Sequence, residues 1–298
     1  MKSKAAEDTS PSASGCLYLV GTPIGNLEDI TLRALRILKE VDQIACEDTR
    51  HTQKLLNHYD IHKPLVSYHE HNEMTRAPEL LIALEQGAKI ALVSDAGMPL
   101  VSDPGHRLVA LCLRHKIPVV PVPGPSALLA ALAASGLPNE EFLFIGFLPA
   151  RSGERRRALA RLRIEEHTII LYEAPHRVAE CIAEAKEILG DRQACLAREV
   201  TKLHEEFLRG RLSEIVAALE ERPARGEITL LISPAEAAPG TRVDTTQSLA
   251  ARVEELMHQA KLDRKEALKL AAKERGLTRR AAYEQILDLR DGERNPTD

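Results

Sequence analysis

Short apolar segments alternate with longer amphipathic segments from residue 16 to about residue 120. The apolar segments are four to six residues long and rich in Val, Ile and Leu, which is typical of buried strands. Between them, Leu32, Leu35 and Leu38 recur at helical spacing after Thr31, and residues 74–86 form a helical pattern that ends at Gly87. Strands separated by helices predict a parallel sheet, and the predicted strands are 17–21, 41–46, 64–67, 89–94 and 117–122.

A second set of strands and helices begins near residue 142. Alternation of this kind fits either two α/β domains or one larger sheet, and residues 126–139 would join the two parts. The predicted strands are 142–146, 168–172, 193–197 and 227–233, and the predicted helices between them are 154–163, 175–189 and 212–219.

The two ends of the chain differ from its middle. Residues 1–14 are small and polar and lack the apolar stretch of a signal peptide, so we expect a disordered tail. Residues 234–243 have the composition of a linker, and Leu249, Val253 and Leu256 then mark one face of a helix.

Two further helices are predicted after this one. Asp263 followed by Glu266 is spaced as a capped helix start, and Gly276 stops that helix. Thr278 would cap the next helix, which gives the spacing of a helix-turn-helix. Residues 261–280 carry eight Lys and Arg against three Asp and Glu, so these helices present a basic surface or simply a solvated one.

The composition is that of an ordinary globular protein, with 44% hydrophobic and 28% charged residues. Only 3% of residues are aromatic, which argues against a broad stacking platform for single-stranded nucleic acid. Because the net charge is −4, any contact with nucleic acid must come from local basic patches. The five scattered Cys form no CxxC pair, and the longest apolar stretch, 127–134, is too short for a bilayer. We therefore expect reduced thiols in a cytoplasmic protein.

Three of the predicted strands run into loops rich in Pro and Gly. The first loop contains Gly21, Pro23 and Gly25, and the second lies within ALVSDAGMPLVSDPG, residues 91–105. The third has the sequence Pro-Gly-Pro-Ser at 123–126 and leads into a helix. Each loop alone fits a tight connection between strand and helix. Together they predict a ligand cleft, because the carboxyl ends of parallel strands meet at one edge of a sheet.

The motifs resemble those of the tetrapyrrole-methylase-like superfamily, over residues 15–234 and in the same order. Within it they look like the bacterial ribosomal RNA small subunit methyltransferase I group, which methylates the 2′-hydroxyl of a cytidine in 16S rRNA. One departure is Met98, where the family pattern has Thr, so a side-chain hydroxyl is lost. The matching motifs are GTPIGNLEDIT, ACEDTRHT, SDAGMPLVSDPG, PVPGPSAL, FIGFLP, YEAPHR, REVTKLHEE and GEITLLI.

The resemblance implies two α/β domains with the cofactor cleft between them and a small C-terminal helical appendage. It implies S-adenosylmethionine as cofactor, 16S rRNA in the 30S subunit as partner, and a homodimer. The expected division is a tail at 1–14, an N-terminal α/β domain at 15–122, a second at 123–235, a linker at 236–245 and an RNA-contacting appendage at 246–298.

The same resemblance assigns residues to the cofactor. Pro23 and Gly25 would form the floor of its site, while a helix start at Ser126 and Ala127 would offer free N–H groups. The amino-acid and ribose parts would lie along Asp95, Ala96, Gly97 and Met98. The adenine would be enclosed by Phe147, Tyr172 and Ile228, each of which also fits plain core packing.

The acceptor side is predicted from charged residues at strand ends. Asp48, Glu199 and Lys202 are the candidates for catalysis, since a base or a cation must act on the weakly acidic ribose hydroxyl. Asp48 could instead cap the following helix. The candidates for RNA binding are Arg50, Arg151, Arg155, Arg156, Arg157 and Arg177, most of which belong to a basic cluster at 151–163 opposed only by Glu154.

Other interpretations are weaker. His69 and His71 lack a third matched ligand, so we expect no metal. A nucleotide-dependent oxidoreductase is disfavoured because GTPIG at 21–25 lacks the G-x-G-x-x-G spacing. The main alternative is a small-molecule, tetrapyrrole-type methylase, against which the basic cluster and the helical appendage argue. A non-enzymatic RNA-binding protein is disfavoured because the residues of the donor pocket are still present.

Overall fold

The computed structural model describes residues 15–235, 248–259 and 263–274, together with Ala282. The chain divides into two units, Met1–Ala235 and Glu236–Asp298. The first unit contains two five-stranded sheets, and the second contains two described helices. The predicted tail at 1–14, the predicted linker at 236–245 and the predicted helix after Thr278 lie outside the described residues, apart from Ala282.

The first sheet is parallel throughout, as the alternating pattern predicts. Its strand order is β3-β2-β4-β1-β5, so β1 lies between β4 and β5. The strands are β1 Cys16–Val20, β2 Gln43–Cys46, β3 Leu65–Ser67, β4 Lys89–Val93 and β5 Val119–Val122. A short 3-10 helix at Leu27–Asp29 and the helices α1 Leu32–Glu40, α2 Thr49–His58, α3 Glu73–Glu85 and α4 His106–Arg114 connect them.

Both faces of this sheet are covered by helices. Leu17 and Leu92 pack with residues of α3 and α4 on one face. Val20, Ile44 and Val93 pack with residues of α1 and α2 on the other. Successive strand residues point to opposite faces, which is why these strands are apolar along their whole length rather than at alternate positions.

The second sheet mixes parallel and antiparallel strands in the order β6-β7-β10-β8-β9. Only β6 and β7 are paired in parallel, and β10 runs antiparallel to both of its neighbours. The strands are β6 Phe142–Phe147, β7 Thr168–Glu173, β8 Gln193–Arg198, β9 Glu206–Arg211 and β10 Ile228–Ile232. The helices are α5 Ala127–Ser135, α6 Ser152–Arg161, α7 Val178–Leu189 and α8 Leu212–Glu221.

Sequence reasoning did not predict strand β9. Its sequence, EFLRGR, carries three charged residues, and it lies at the edge of the sheet, where only one side needs a partner. Strand formation here follows from pairing with β8 along six residues, which no local pattern could indicate.

The two sheets share an apolar contact within the first unit. Ile24, in the loop after β1, packs in one cluster with Ala131 of α5 and with Ile170 and Leu231 of the second sheet. Leu148, Leu171 and Leu230 belong to a larger cluster with α6, α7 and α8. The second sheet therefore has helices on both faces, and α5 lies on the face that carries the contact with Ile24.

The second unit is a pair of packed helices in its described part, α9 Leu249–Gln259 and α10 Arg264–Glu274. Leu249, Val253 and Leu256 pack against Ala267 and Ala271, as the helical spacing predicts. The Asp263 side chain accepts a hydrogen bond from the Glu266 N–H at 2.8 Å, so the predicted capped start is confirmed. Among the described residues, no helix has the length and apolar character needed to cross a membrane.

Candidate active site

The three Pro/Gly loops meet at one edge of the first sheet, as predicted, because β1 lies between β4 and β5. Thr22 and Gly97 exchange backbone hydrogen bonds of 2.9 and 3.0 Å. An added Cβ at Gly21 would lie 2.7 Å from Cα of Gly124, so the loops after β1 and β5 touch backbone to backbone. Only glycine permits this approach.

The loop after β4 has a backbone that most residues avoid. Gly97 has a φ of 80°, and the non-glycine residues Leu100 and Ser102 have φ of 73° and 66°. Residues held in this region cost free energy and are concentrated at functional sites. Asp95 fixes the start of the loop, because its carboxylate accepts a hydrogen bond from the Asp48 N–H at 3.1 Å.

A cavity of about 390 Å³ lies between these loops and the second sheet. The loops contribute Ile24, Ala96, Gly97, Met98, Val101, Ser102, Asp103, Ser126 and Ala127. The second sheet and its loops contribute Phe147, Tyr172, Glu173, Ala174, Pro175, Val200, Gly226, Glu227, Ile228 and Thr229.

Eight of the eleven residues that the sequence assigns to the cofactor line this cavity. They are Ala96, Gly97, Met98, Ser126, Ala127, Phe147, Tyr172 and Ile228. The other three, Pro23, Gly25 and Asp95, do not line it. Asp95 is turned toward the backbone of Asp48, and the space beside Gly25 is filled by the stem of Lys202. The expectation that these three residues contact the cofactor stays a prediction.

Aromatic rings form one wall of the cavity. Phe147 is 57% exposed although its neighbours are apolar, and its ring centroid is 5.7 Å from that of Tyr172. Strand β6 has a register shift between Phe144 and Gly146, and such an irregularity re-aims the side chains that follow it. Burial raises the pKa of Tyr172, and the nearby Leu128 N–H acts in the opposite direction. An exposed ring beside a half-buried one suits the stacking of a planar group.

Carboxylates give the cavity a negative side that sequence reasoning missed. Burial raises the pKa of Asp103 to about 6, and the charges of Glu47 and Asp95 add to the effect. Burial also raises the pKa of Glu47, again with a contribution from Asp95. Asp103 belongs to the SDPG part of the quoted motif, so the signal was present but was attributed to turn formation. A site of this kind favours a cationic ligand.

Asp48 does not line the cavity. It caps α2, with its carboxylate accepting a 2.8 Å hydrogen bond from the Arg50 N–H. The Arg50 guanidinium lies 2.7 Å from the same carboxylate and holds the pKa of Asp48 well below its usual range. The alternative of a helix cap is therefore confirmed. The expectation that Asp48 acts on the acceptor hydroxyl stays a prediction, and a lowered pKa makes this carboxylate a weak proton acceptor.

Glu199 and Lys202 lie together beside the cavity, in the loop between β8 and β9. The Glu199 carboxylate accepts hydrogen bonds of 2.9 Å from the Lys202 ammonium and from the Glu227 N–H. Burial acts to raise the pKa of Glu199, but these two donors outweigh it and lower the pKa. Lys202 also lies 3.2 Å from Glu227, which sequence reasoning did not single out.

The predicted basic cluster is only partly a basic surface. Arg155 is 1% exposed and lies 2.6 Å from Glu184 and 2.8 Å from Glu180, so the expectation that it binds RNA is wrong. Arg156 is paired with Glu187 of α7. These acidic partners come from a different helix, so Glu154 is not the sole opposing charge.

The other candidate arginines differ in how well they could meet a phosphate. Arg177 is held by hydrogen bonds to the buried Glu173 carboxylate, which fixes it inside the protein. Arg50, Arg151 and Arg157 are exposed.

His69 and His71 have rings 5.9 Å apart, and the described part of the chain contains no group of three or more His, Cys, Asp or Glu that could hold a metal ion.

The fold of two sheets is shared with known methyltransferases. A family model described as Tetrapyrrole (Corrin/Porphyrin) Methylases matches residues 16–216. The match covers more than half of the chain, which therefore belongs to the tetrapyrrole methylase family. The resemblance carried by the eight motifs is confirmed.

Within this family, the chain is similar to proteins named Ribosomal RNA small subunit methyltransferase I. The protein of Halalkalibacterium halodurans is 48% identical over 274 residues, which is 90% of this chain and 93% of the relative. That of Thermotoga maritima is 52% identical over 222 residues, which is 74% of this chain and 100% of the relative. Among solved structures, the uroporphyrin-III C-methyl transferase of Thermus thermophilus in complex with S-adenyl homocysteine is 25% identical, with a TM-score of 0.52 over 74% of this chain and 97% of that one.

Proposed function

We propose that this chain transfers the methyl group of S-adenosylmethionine to the ribose 2′-hydroxyl of a cytidine in 16S rRNA, and that it acts in the cytoplasm as a homodimer. One observation carries most of the weight: a single cavity collects eight of the eleven residues that the methyltransferase motifs assign to the donor. The proposal of ribosomal RNA as substrate is based on the names of the relatives, and the proposal of a cytidine 2′-hydroxyl is based on the family motifs.

The residues of the cavity fit a donor that combines a cation, a ribose and an adenine. Asp103, flanked by Glu47, supplies negative charge for the cationic part. The start of α5 at Ser126 and Ala127 supplies polar backbone for a carboxylate or hydroxyl. Phe147 and Tyr172 supply an aromatic wall for the adenine. S-adenosylmethionine provides the methyl group and leaves as a neutral thioether.

Charged residues around the cavity are assigned to the acceptor hydroxyl and to the phosphates of the RNA. Glu199 and Lys202 stand at its border, where their charges can act on an acceptor hydroxyl. Phosphates of the RNA are assigned to the exposed Arg50, Arg151 and Arg157, because guanidinium groups match phosphate geometry. Buried Arg155 and the carboxylate-bound Arg177 have no part in this surface.

The test is methyl transfer from labelled S-adenosylmethionine to purified 30S subunits and to naked 16S rRNA, both lacking the modification, with the labelled nucleotide mapped. Label on the 2′-oxygen of one cytidine is the expected result, and the comparison of the two RNAs identifies the assembly state of the substrate. Donor binding without label on either RNA would contradict the proposal and favour a small-molecule acceptor of the tetrapyrrole type.

A further inference from the structure

Three carboxylates line the cavity in the described part of the chain, namely Asp103, Glu173 and Glu227. They have very different surroundings. Glu173 is buried, and one of its oxygens accepts hydrogen bonds from the Ala174 N–H and from Arg177 at 2.8 and 2.7 Å. Asp103 is half-buried among other carboxylates. Glu173 is therefore engaged inside the protein, and Asp103 is the carboxylate assigned above to the cationic part of the donor.

Glu227 is the accessible member of the three. Its side chain is 71% exposed, and its ordered partner is the Lys202 ammonium at 3.2 Å. Glu227, Asp103 and Tyr172 all line the cavity, and the charges of the two carboxylates contribute to the raised pKa of Tyr172. Glu227 is therefore at the border of the donor cavity with an oxygen open to a second molecule.

The backbone that carries Glu227 is fixed by Glu199. The Glu199 carboxylate accepts the Glu227 N–H, and the Glu227 carbonyl accepts the Glu199 N–H, each at 2.9 Å. Gly226 has a φ of 81°, and an added Cβ there would overlap the Glu199 carboxylate. Glu199 itself has a φ of 51°. Two residues in the left-handed region and a reciprocal pair of hydrogen bonds fix the backbone of Glu227 beside the cavity.

The Lys202 ammonium lies beside the Glu227 carboxylate and could act on the same acceptor hydroxyl. Partial burial opposes its charge, but the hydrogen bonds to Glu199 and Glu227 outweigh this and raise the pKa of Lys202. The ammonium therefore stays charged and is unsuited to accept a proton. Its position beside Glu227 suits the stabilisation of a developing negative charge on the acceptor oxygen.

We propose that Glu227 is the catalytic proton acceptor for the ribose hydroxyl, with Lys202 as the cation beside it and Glu199 as the positioning residue for both. This inference rests on the proposed function. A Glu227 oxygen takes the proton of the 2′-hydroxyl while the hydroxyl oxygen forms a bond to the methyl carbon. The carbon–sulfur bond breaks and its electron pair goes to sulfur. The products are the 2′-O-methyl ribose, a neutral thioether and a protonated Glu227, which returns its proton to water.

The test compares Glu227→Gln and Glu227→Ala with Glu220→Gln, a matched control on the exposed face of α8 outside the cavity. For Glu227→Gln we expect kcat on the RNA substrate to fall by about 100-fold or more, which is the usual contribution of a general base. The Kd for S-adenosylmethionine, measured by calorimetry, stays within about threefold because glutamine keeps the shape of the cavity wall and the groups assigned to the donor are unchanged. Glu220→Gln keeps the wild-type kcat.

A second readout separates catalysis from a structural role. Added formate, a small carboxylate that can replace the group removed in Glu227→Ala, is expected to restore kcat by about tenfold without changing the Kd of the donor. A kcat of Glu227→Gln within threefold of the wild type would overturn the inference, as would an absence of formate rescue or an equal loss of donor affinity. Failure of the wild-type protein to methylate any cytidine would instead overturn the proposed function.

Discussion

The methylene stem of Lys202 occupies the space in which a side chain at Gly25 would lie. A Cβ added to Gly25 would overlap Cγ of Lys202 and would come within 3.0 Å of its Cδ. Gly25 belongs to the loop after β1 and Lys202 to the loop between β8 and β9, so this contact connects the two sheets beside the cavity. The lysine is thereby held from one side by Gly25 and at its ammonium end by Glu199 and Glu227.

Replacement of Gly25 by Ala should displace Lys202 without touching the donor cavity. Since a misplacement of about 1 Å can cost about 100-fold in rate, we expect kcat to fall by about 10- to 100-fold. The Kd of S-adenosylmethionine should change little, because Gly25 does not line the cavity. Steady-state kinetics on the RNA substrate and calorimetry with the donor measure the two effects.

Gly153→Ala is the matched control for this substitution. Gly153 lies in α6, and an added Cβ there meets no atom within 4 Å. We expect wild-type kcat and donor affinity for this variant. Equal kcat for Gly25→Ala and the wild type would show that the position of Lys202 does not matter for turnover.

The Asp103 carboxylate should lower the free energy of unfolding of the donor-free protein at neutral pH. Burial raises the pKa of Asp103 to about 6, so the folded state holds its proton more tightly than the unfolded state does. Between the ordinary carboxyl value near 4 and pH 6, the free energy of unfolding therefore falls as pH rises. Asp103→Asn should raise the free energy of unfolding at pH 7 by about 2 kcal/mol and leave it unchanged below pH 4. Urea denaturation at the two pH values tests this.

Donor binding by the same variant should change in the opposite sense. S-adenosylmethionine carries one more positive charge than S-adenosylhomocysteine, so loss of the Asp103 charge should weaken binding of the former by about tenfold or more and of the latter by less. In the wild type, the preference for the cationic molecule should decrease as pH falls through 6. Glu47→Gln removes one of the charges that raise the pKa of Asp103, and it should shift this transition to lower pH. Equal losses for the two ligands would place the donor cation away from Asp103.

Arg155 and Arg157 should behave differently although both lie on α6. Arg155→Met leaves the Glu184 carboxylate without its buried partner, and breaking such a pair costs about 3–5 kcal/mol of the free energy of unfolding. Arg157→Met, at an exposed position, should change that free energy by no more than about 0.5 kcal/mol.

For RNA affinity, the exposed Arg157 should matter more than the buried Arg155. Arg157→Met should weaken RNA binding and lower its salt dependence by about one unit, as expected for one lost phosphate contact. Thermal denaturation and salt-dependent RNA binding provide the measurements. Undiminished RNA affinity in Arg157→Met would remove α6 from the RNA surface.

The sequence is a good guide to this site where the information is local. Pro and Gly at the ends of apolar strands indicated the three loops, and parallel strands bring their ends together, so residues such as Ala96 and Ser126 were placed in the cavity correctly. The errors concern partners that are distant in sequence. Arg155 is buried because Glu184 reaches it from α7, and the contact between Gly25 and the stem of Lys202 was not foreseen. Such pairs depend on tertiary packing, which no local pattern reports.

The helices of the second unit should contribute to RNA binding and not to donor binding. All described residues that line the donor cavity lie within 15–235, so a protein ending at Ala235 should bind S-adenosylmethionine with unchanged Kd. Its affinity for 16S rRNA should fall, because Arg264, Lys265 and Lys269 are exposed on α10 and would be lost. The full-length double variant Lys265→Glu and Lys269→Glu keeps the buried face of α10 and should reproduce the fall, with a lower salt dependence of binding. If the truncated protein bound RNA as tightly as the full chain, the basic face of α10 would be only a solvated helix surface.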